Sequence, residues 1–473
     1  MSQQPIRNVV IVGGGTAGWM TAAALARLLP QDFCRIRLVE SDEIGTVGVG
    51  EATIPAIHDF NRRVGLDEKE FMAHTNATFK LGIEFVNWGN IGDAYMHPFG
   101  RYGRDLNGVG FHHYWLRERQ AGSGVAFGDY SLPYIAARRG RFDYPKTDAG
   151  SVYSTYSYAF HFDASLYARY LRRVAEGLGV LRIEGRIIDT ELRAEDGYIQ
   201  CVVMEDGSRI DGELFVDCSG FRGLLIEQAL QTGYVDWRHW LPCDRAFAVA
   251  SDYPGQPDPY TRATAYEAGW QWRIPLQHRM GNGHVFSSEY TSEERAAETL
   301  LDNLDGKAHA APRLLRFVPG KRRKMWHRNC VAIGLSGGFL EPLESTSIFL
   351  IQAAIMKLIE LFPDSTIPAP AVDEYNRSMD QMFDEVRNFI ILHYKQTSRD
   401  DSEFWRYCRN MSIPDELDYR MRLFAERGIA SHRDGELFIE TNWIAVYLGQ
   451  KLFPEHYDPR VDCLGGDEVS RSL

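Results

Sequence analysis

Three glycines, Gly13, Gly15 and Gly18, stand in G-x-G-x-x-G spacing within VVIVGGGTAGWM (9–20). That spacing suits the pyrophosphate of a dinucleotide: the first glycine permits a tight turn, the second a close backbone approach, the third close packing of helix on strand. Glu40 follows 22 residues after Gly18, at the end of the apolar run IRLVE, where a carboxylate can accept hydrogen bonds from a ribose diol. Two further groups could do chemistry. Lys80 lies in the alternating stretch Thr78–Trp88, on the side opposite Phe79, Leu81, Ile83 and Phe85. A lysine there is a solvated charge, a partner of an acid such as Glu84, or a catalytic group. Glu344 precedes Ser345 and Thr346, two N-cap candidates for a long apolar helix beginning near Ile348. Glu344 is either a capping acid facing the helix dipole or a base, and the free N–H groups at the helix start would stabilise an anion or an electron-rich carbonyl edge.

These groups need elements to hold them. Val9–Val12 is an apolar, β-branched run of the kind found in buried parallel strands, a helix is expected from Ala17 to Leu29, and Ile36–Val39 reads as a second strand. The small residues around Glu51, Thr53 and Pro55 suit either a backbone pressed against a flat cofactor or a surface loop. ELFVDCSGFRG (213–223) repeats strand-into-turn logic, with Gly220 able to approach the cofactor and Asp217 beside it. NCVAIGL (329–335) is another buried strand. GWQWRIP (269–275) puts Trp270 and Trp272 on one face of a strand, where paired rings are core or pocket wall. Strands near residues 9, 36, 214 and 331 belong to one nucleotide sheet. The expectation is an α/β chain: a Rossmann-type, glutathione-reductase-like FAD-binding core from about 5–88, 151–235 and 318–360. An inserted and C-terminal, mostly helical substrate lobe takes about 89–150, 236–317 and 361–473.

The 473 residues carry a net charge of −12, which argues against a nucleic-acid surface. Seven scattered cysteines without C-x-x-C disfavour a metal or disulfide framework and fit a reducing cytoplasm. No segment reaches 18 apolar residues, so no membrane span is expected, and the apolar run at Val9 is the nucleotide strand rather than a signal core. Without a second G-x-G-x-x-G unit, a nicotinamide site is not indicated, and reduced flavin is expected from a separate reductase.

The chain resembles the flavin-dependent halogenases, the tryptophan halogenase family. The resemblance rests on GGGTAGWM (13–20), VGVGEATIP (47–55), FKLGIEFVNW (79–88), GWQWRIP (269–275) and PLEST (342–346), all in order. It implies FADH2-dependent halogenation of an electron-rich aromatic through a flavin hydroperoxide and hypohalous acid, with chloride or bromide as co-substrate. It implies a cofactor surface of Gly13, Gly15, Thr16, Ala17, Gly18, Glu40, Glu51, Ala52, Thr53, Gly220 and Leu335. Lys80 and Glu344 match the family's essential lysine and glutamate, and Ser345 a serine linking the halide region to Lys80. Thr346 and Ser347 fall at the halide site, and Trp270 and Trp272 match the tryptophans that keep substrate away from flavin.

His97, Phe99 and Phe438 match an aromatic sandwich for the substrate. Three departures stand out: Ser347 replaces a frequent glycine, Phe438 a tryptophan, and ERGIASHRDGELF (426–438) lacks the tyrosine pair and glutamate that hold free tryptophan. An indole-type substrate is therefore expected, with a homodimer compatible with the family. The competing readings are an aromatic monooxygenase, opposed by GWQWRIP and Lys80, and a non-catalytic flavin-binding protein, opposed by Lys80 with Glu344.

Overall fold

The computed structural model describes residues 4–43 and 50–463, so Val47–Val49 of VGVGEATIP lie outside the described residues. The chain divides into two units, each assembled from three separate pieces.

The first unit comprises Met1–Ala77, His161–Arg238 and Arg316–Asp384. Its main sheet runs in the order Trp326–His327, Cys330–Ala332, Leu214–Asp217, Asn8–Val12, Arg35–Glu40, Leu181–Glu184. All neighbours are parallel except the first pair. Val9, Val10 and Ile11 are fully buried, as a strand covered on both faces requires. The helix Thr16–Leu28 follows, with Gly18–Leu25 buried against the sheet. Gly18 is what lets it sit so close: a Cβ there would lie 1.8 Å from the Gly13 carbonyl oxygen. Register pairs Val12 with both Val39 and Asp217, and Asp217 with Ala332. The turns after those strands therefore leave the sheet along one carboxyl edge, where open α/β sheets bind ligands.

The second unit comprises Thr78–Phe160, His239–Leu315 and Glu385–Leu473. Its C-terminal piece carries the helices Glu403–Asn410, Asp415–Arg427 and Glu440–Gly449, and the inserted pieces carry Phe111–Gln120, Leu132–Arg138 and Glu293–Asp302. Against the expectation of a mostly helical lobe, the inserted pieces also bring a mixed sheet, with Arg245–Ser251, Met280–Phe286, Gly269–Pro275, Thr261–Tyr266, Gly82–Val86 and Ala94–Pro98 side by side. Aromatic residues fill its interior. Phe85 stacks on Tyr95 (5.0 Å) and His393 (4.6 Å), and Trp88 meets Trp405 edge-on. The polar tips are paired within this core: Trp88 Nε1 donates to the Ala263 carbonyl, and the Tyr95 hydroxyl bonds His393 Nδ1.

The stretch Thr78–Trp88 is not one strand. It divides at Leu81 into Thr78–Lys80, which joins a small sheet with Ala159–Phe162, and Gly82–Val86, which lies between Thr261–Tyr266 and Ala94–Pro98 in the mixed sheet.

Candidate active site

At the carboxyl edge of the first unit's sheet the groups presented are mainly backbone. Gly13 has φ +110°, and a Cβ there would lie 2.3 Å from the Cys218 carbonyl oxygen, so only glycine fits. Gly15 and Gly220 are different, since a Cβ at either would meet no protein atom within 4 Å. That open space above two glycines is a cradle a side chain would fill. Thr16 and Ala17 begin the helix, whose first N–H groups have no helical partner. Gly334 packs on Ala17, with a built Cβ 2.8 Å from the Ala17 Cβ, which brings the turn carrying Leu335 to the same edge. The residues present fit the pyrophosphate arm of FAD.

Glu40 ends its strand with the carboxylate folded over this turn: a Cβ at Gly14 would fall 1.4 Å from Glu40 Oε2. Arg182 Nε donates to Glu40 Oε1 at 2.6 Å, and Arg172 approaches the same oxygen at 3.5 Å. The sequence reading missed Gly14 and both arginines, the latter because they lie far along the chain. Asp217 does not face a cofactor. It is fully buried and accepts from the N–H groups of Ser219, Leu225 and Ile226 and from the Ser219 hydroxyl, so it fixes the turn that presents Gly220. Glu51 and Ala52 form a short strand paired with Phe162 and His161, and Thr53 beside them is buried. Loss of water pushes the Glu51 carboxyl up to about 7.

The segment before the helix Ser347–Glu360 departs from expectation in its caps. Pro342–Glu344 makes a tight turn ended by Ser345 in the left-handed region (φ 59°), so Ser345 caps that turn and not the helix. The N-cap is Thr346, but its backbone (φ −91°, ψ −10°) is helical rather than extended, and its side chain makes no cap hydrogen bond. The Thr346 hydroxyl is buried at 1 % exposure with no hydrogen-bond partner among the described residues. The first helical bond here is Leu350 N–H to the Thr346 carbonyl, so the N–H groups of Ser347, Ile348 and Phe349 face forward without helical partners. A buried helix start beside an unspent hydroxyl is suited to a small anion. Glu344, at 1 % exposure, is equally buried.

In the second unit Lys80 is neither a solvated charge nor the partner of Glu84. It is fully buried, and its Nζ stands 5.1 Å from the centre of the Phe99 ring. Glu84 is engaged by Arg262 Nε at 2.8 Å. The alternation misleads because the strand break at Leu81 separates the two residues into different elements. Burying an ammonium costs several kcal/mol unless its surroundings repay it, and such groups concentrate at functional sites. Trp270 and Trp272 are buried with centroids 6.1 Å apart. Gly283 on the neighbouring strand admits the Trp272 ring, since a Cβ there would fall 2.0 Å from it.

His97 and Phe438 are buried with ring centres 6.5 Å apart at 47°, so they form a wedge rather than a parallel sandwich. Phe389, absent from the sequence reading, explains the tilt: it stacks on Phe438 at 3.8 Å and lies 5.7 Å from His97. The loop carrying Phe438 is anchored at both sides. Trp443 Nε1 donates to the Phe438 carbonyl, and Glu436 makes a buried two-point ion pair with Arg420 at 2.5 and 2.9 Å.

A parallel sheet with a dinucleotide turn, in one chain with a buried lysine and an aromatic wedge, suits a flavoenzyme acting on an aromatic ring. The tryptophan halogenase family model matches residues 8–465, and the chain belongs to that family. The curated tryptophan 7-halogenase RebH of Lentzea aerocolonigenes is 35% identical, the match covering 96% of this chain and 92% of RebH. Among solved structures, the flavin-dependent halogenase Xcc4156 from Xanthomonas campestris is 50% identical with a TM-score of 0.95, covering 99% of this chain and 94% of that one. BrvH, a flavin-dependent halogenase from Brevundimonas sp. BAL3, is 48% identical with the same TM-score and the same coverage. The protein is a flavin-dependent halogenase and uses FADH2 and halide. Among the described residues no helix is long and apolar enough to cross a membrane.

Proposed function

We propose that this halogenase acts on indole or simply substituted indoles in preference to free tryptophan, and accepts bromide at least as readily as chloride. The observation carrying the substrate half is the Arg420–Glu436 pair. A site selecting a zwitterion must repay the desolvation of an ammonium and a carboxylate. Glu436, two residues before Phe438, has its charge already matched by Arg420. The wedge of His97 and Phe438, with Phe99 beneath Lys80, grips a ring without demanding an amino-acid tail. The bromide half rests on bromide's easier oxidation and on Ser347 at the helix start.

Gly13, Gly15, Thr16, Ala17, Gly18, Glu40, Glu51, Ala52, Thr53, Gly220 and Leu335 hold the cofactor, as FAD rather than FMN. Reduced flavin with O2, supplied through a separate reductase, provides the oxidising equivalent that turns halide into hypohalous acid. The Thr346 hydroxyl and the N–H groups at Ser347 hold the halide. Lys80 donates a hydrogen bond to the oxygen of the hypohalous acid. As the ring carbon–halogen bond forms and the oxygen–halogen bond breaks, that oxygen takes the lysine proton and leaves as water. The Glu344 carboxylate takes the proton lost from the substituted ring carbon. Ser345 fixes the turn that presents Glu344, and Trp270 with Trp272 screens the substrate from direct oxygenation.

The test is competition between indole and tryptophan at equal concentration, with FAD, a reductase and each halide in turn, read by mass spectrometry. Halogenated indole should dominate, with bromide yields no lower than chloride. Predominant conversion of tryptophan at a single ring position would overturn the reading.

A further inference from the structure

The Asn442 side chain touches both sides of the aromatic wedge. Its Oδ1 accepts the backbone N–H of Ile439 at 2.8 Å, and its Nδ2 lies 2.8 Å from His97 Nε2. The amide orientation follows from chemistry: a backbone N–H can only donate, so the atom facing it is the oxygen. The atom facing His97 is then the NH2, which can only donate, so Nε2 is an acceptor. The ring proton of neutral His97 therefore resides on Nδ1. Ile439 directly follows Phe438 and is the N-cap of the helix Glu440–Gly449, in whose first turn Asn442 lies. One amide thus ties the backbone beside one wall to the ring that makes the other.

We propose that Asn442 is the positioning residue that sets the angle and gap of the substrate wedge and holds His97 in the Nδ1-protonated tautomer. It acts through His97 and Phe438, not on the reacting atoms. A planar ring needs about 3.5–4 Å to each wall it stacks on. Stacking on both walls at once would need about 7–8 Å between them. At a centroid separation of 6.5 Å and a 47° tilt, a flat substrate instead lies against one wall towards the open side of the wedge, and the wedge angle decides which of its edges faces out. Asn442 therefore governs which ring position is offered for halogenation. The proposal rests on the reading of His97 and Phe438 as substrate walls.

The experiment uses the full chain with FAD and a reductase, and four variants: Asn442→Ala, Asn442→Asp, His97→Ala, and His97→Ala with Asn442→Ala. With indole and bromide, Asn442→Ala should raise KM about tenfold, change kcat by less than about threefold and broaden the ratio of bromoindole isomers. The double variant should lose less than the sum of the two single losses, because removing His97 already abolishes the Asn442–His97 contact and leaves only the route through Ile439 and Phe438. Asn442→Asp keeps an acceptor for the Ile439 N–H and so keeps the helix cap. It presents only an acceptor to Nε2, so the His97 15N NMR signature should move from Nδ1-protonated to Nε2-protonated or doubly protonated, with the thermal midpoint retained.

An Nε2-protonated His97 in the wild-type protein would overturn the proposal. So would additive losses in the double variant, or an unchanged KM and isomer ratio in Asn442→Ala. Failure of the wild type to halogenate any indole would instead sink the proposed substrate, while the NMR signature would still decide the bridge.

Discussion

In the first unit the groups at the sheet edge are backbone: two glycines opening onto empty space, a helix start at Thr16 and another at Ser347. In the second unit they are side chains: a buried lysine over Phe99, a histidine clamped by an amide, and a phenylalanine stacked on Phe389. Backbone sites are set by turn geometry and fail when a Cβ intrudes. Side-chain sites are set by packing partners from elsewhere in the chain and drift when a partner is trimmed. Substitutions should therefore be nearly all-or-none in the first unit and graded in the second, except where a side chain takes part in the reaction itself.

The largest effect expected in the first unit follows from Gly13→Ala. Its Cβ would press on backbone in a left-handed conformation, so both folding and FAD binding should be lost, as read by thermal melting and flavin titration. Soluble protein with normal FAD affinity would break the comparison at its root. Next, Glu344→Gln should cut turnover by about two orders of magnitude while leaving FAD affinity near normal, since an amide cannot accept the ring proton. Steady-state rates beside a flavin titration separate the two effects.

Gly15→Ala sharpens the comparison. Its φ is −75° and no protein atom lies near a built Cβ, so the apoprotein should lose about 1 kcal/mol or less. FAD affinity should nonetheless fall at least about tenfold, because the methyl occupies the space the pyrophosphate needs. Unchanged affinity would place the pyrophosphate elsewhere.

A smaller, pH-dependent effect belongs to Glu51. Its folded value of about 7 lies above the ordinary 4.5, so the folded state binds the extra proton between them. The group's favourable contribution is complete below about pH 4.5 and is lost as pH rises through 7, a total of about 3 kcal/mol or less. Glu51→Gln apoprotein should accordingly gain thermal stability over the wild type at pH 8 and lose that advantage by pH 5. Parallel melting curves at both pH values would contradict the assignment.

What the sequence showed and what it hid divide along the same line. The glycine turn, its strand and helix and Glu40 lie within 32 residues of one another, so spacing alone carries their chemistry. The partners that give the second unit's groups their character are remote: Asn442 is 345 residues from His97, and Arg420 is 16 from Glu436 but on another element. The alternation rule works only while a strand stays in one sheet, and at Leu81 the chain passes from the sheet holding Lys80 to the one holding Glu84. The sequence places Asp217 beside the turn of Gly220 without showing what it does there. Only the four bonds it accepts reveal that it shapes the turn.

The buried side chain of Lys80 is the centre of the account, and one reaction tests it. Wild type and Lys80→Ala are given FAD, a reductase, bromide and indole, and bromoindole is quantified by mass spectrometry beside flavin binding and oxygen consumption. The wild type should yield bromoindole. The variant should bind FAD and consume oxygen nearly as well, yet form at least about a thousandfold less product. Bromoindole from Lys80→Ala at a rate near that of the wild type would contradict it.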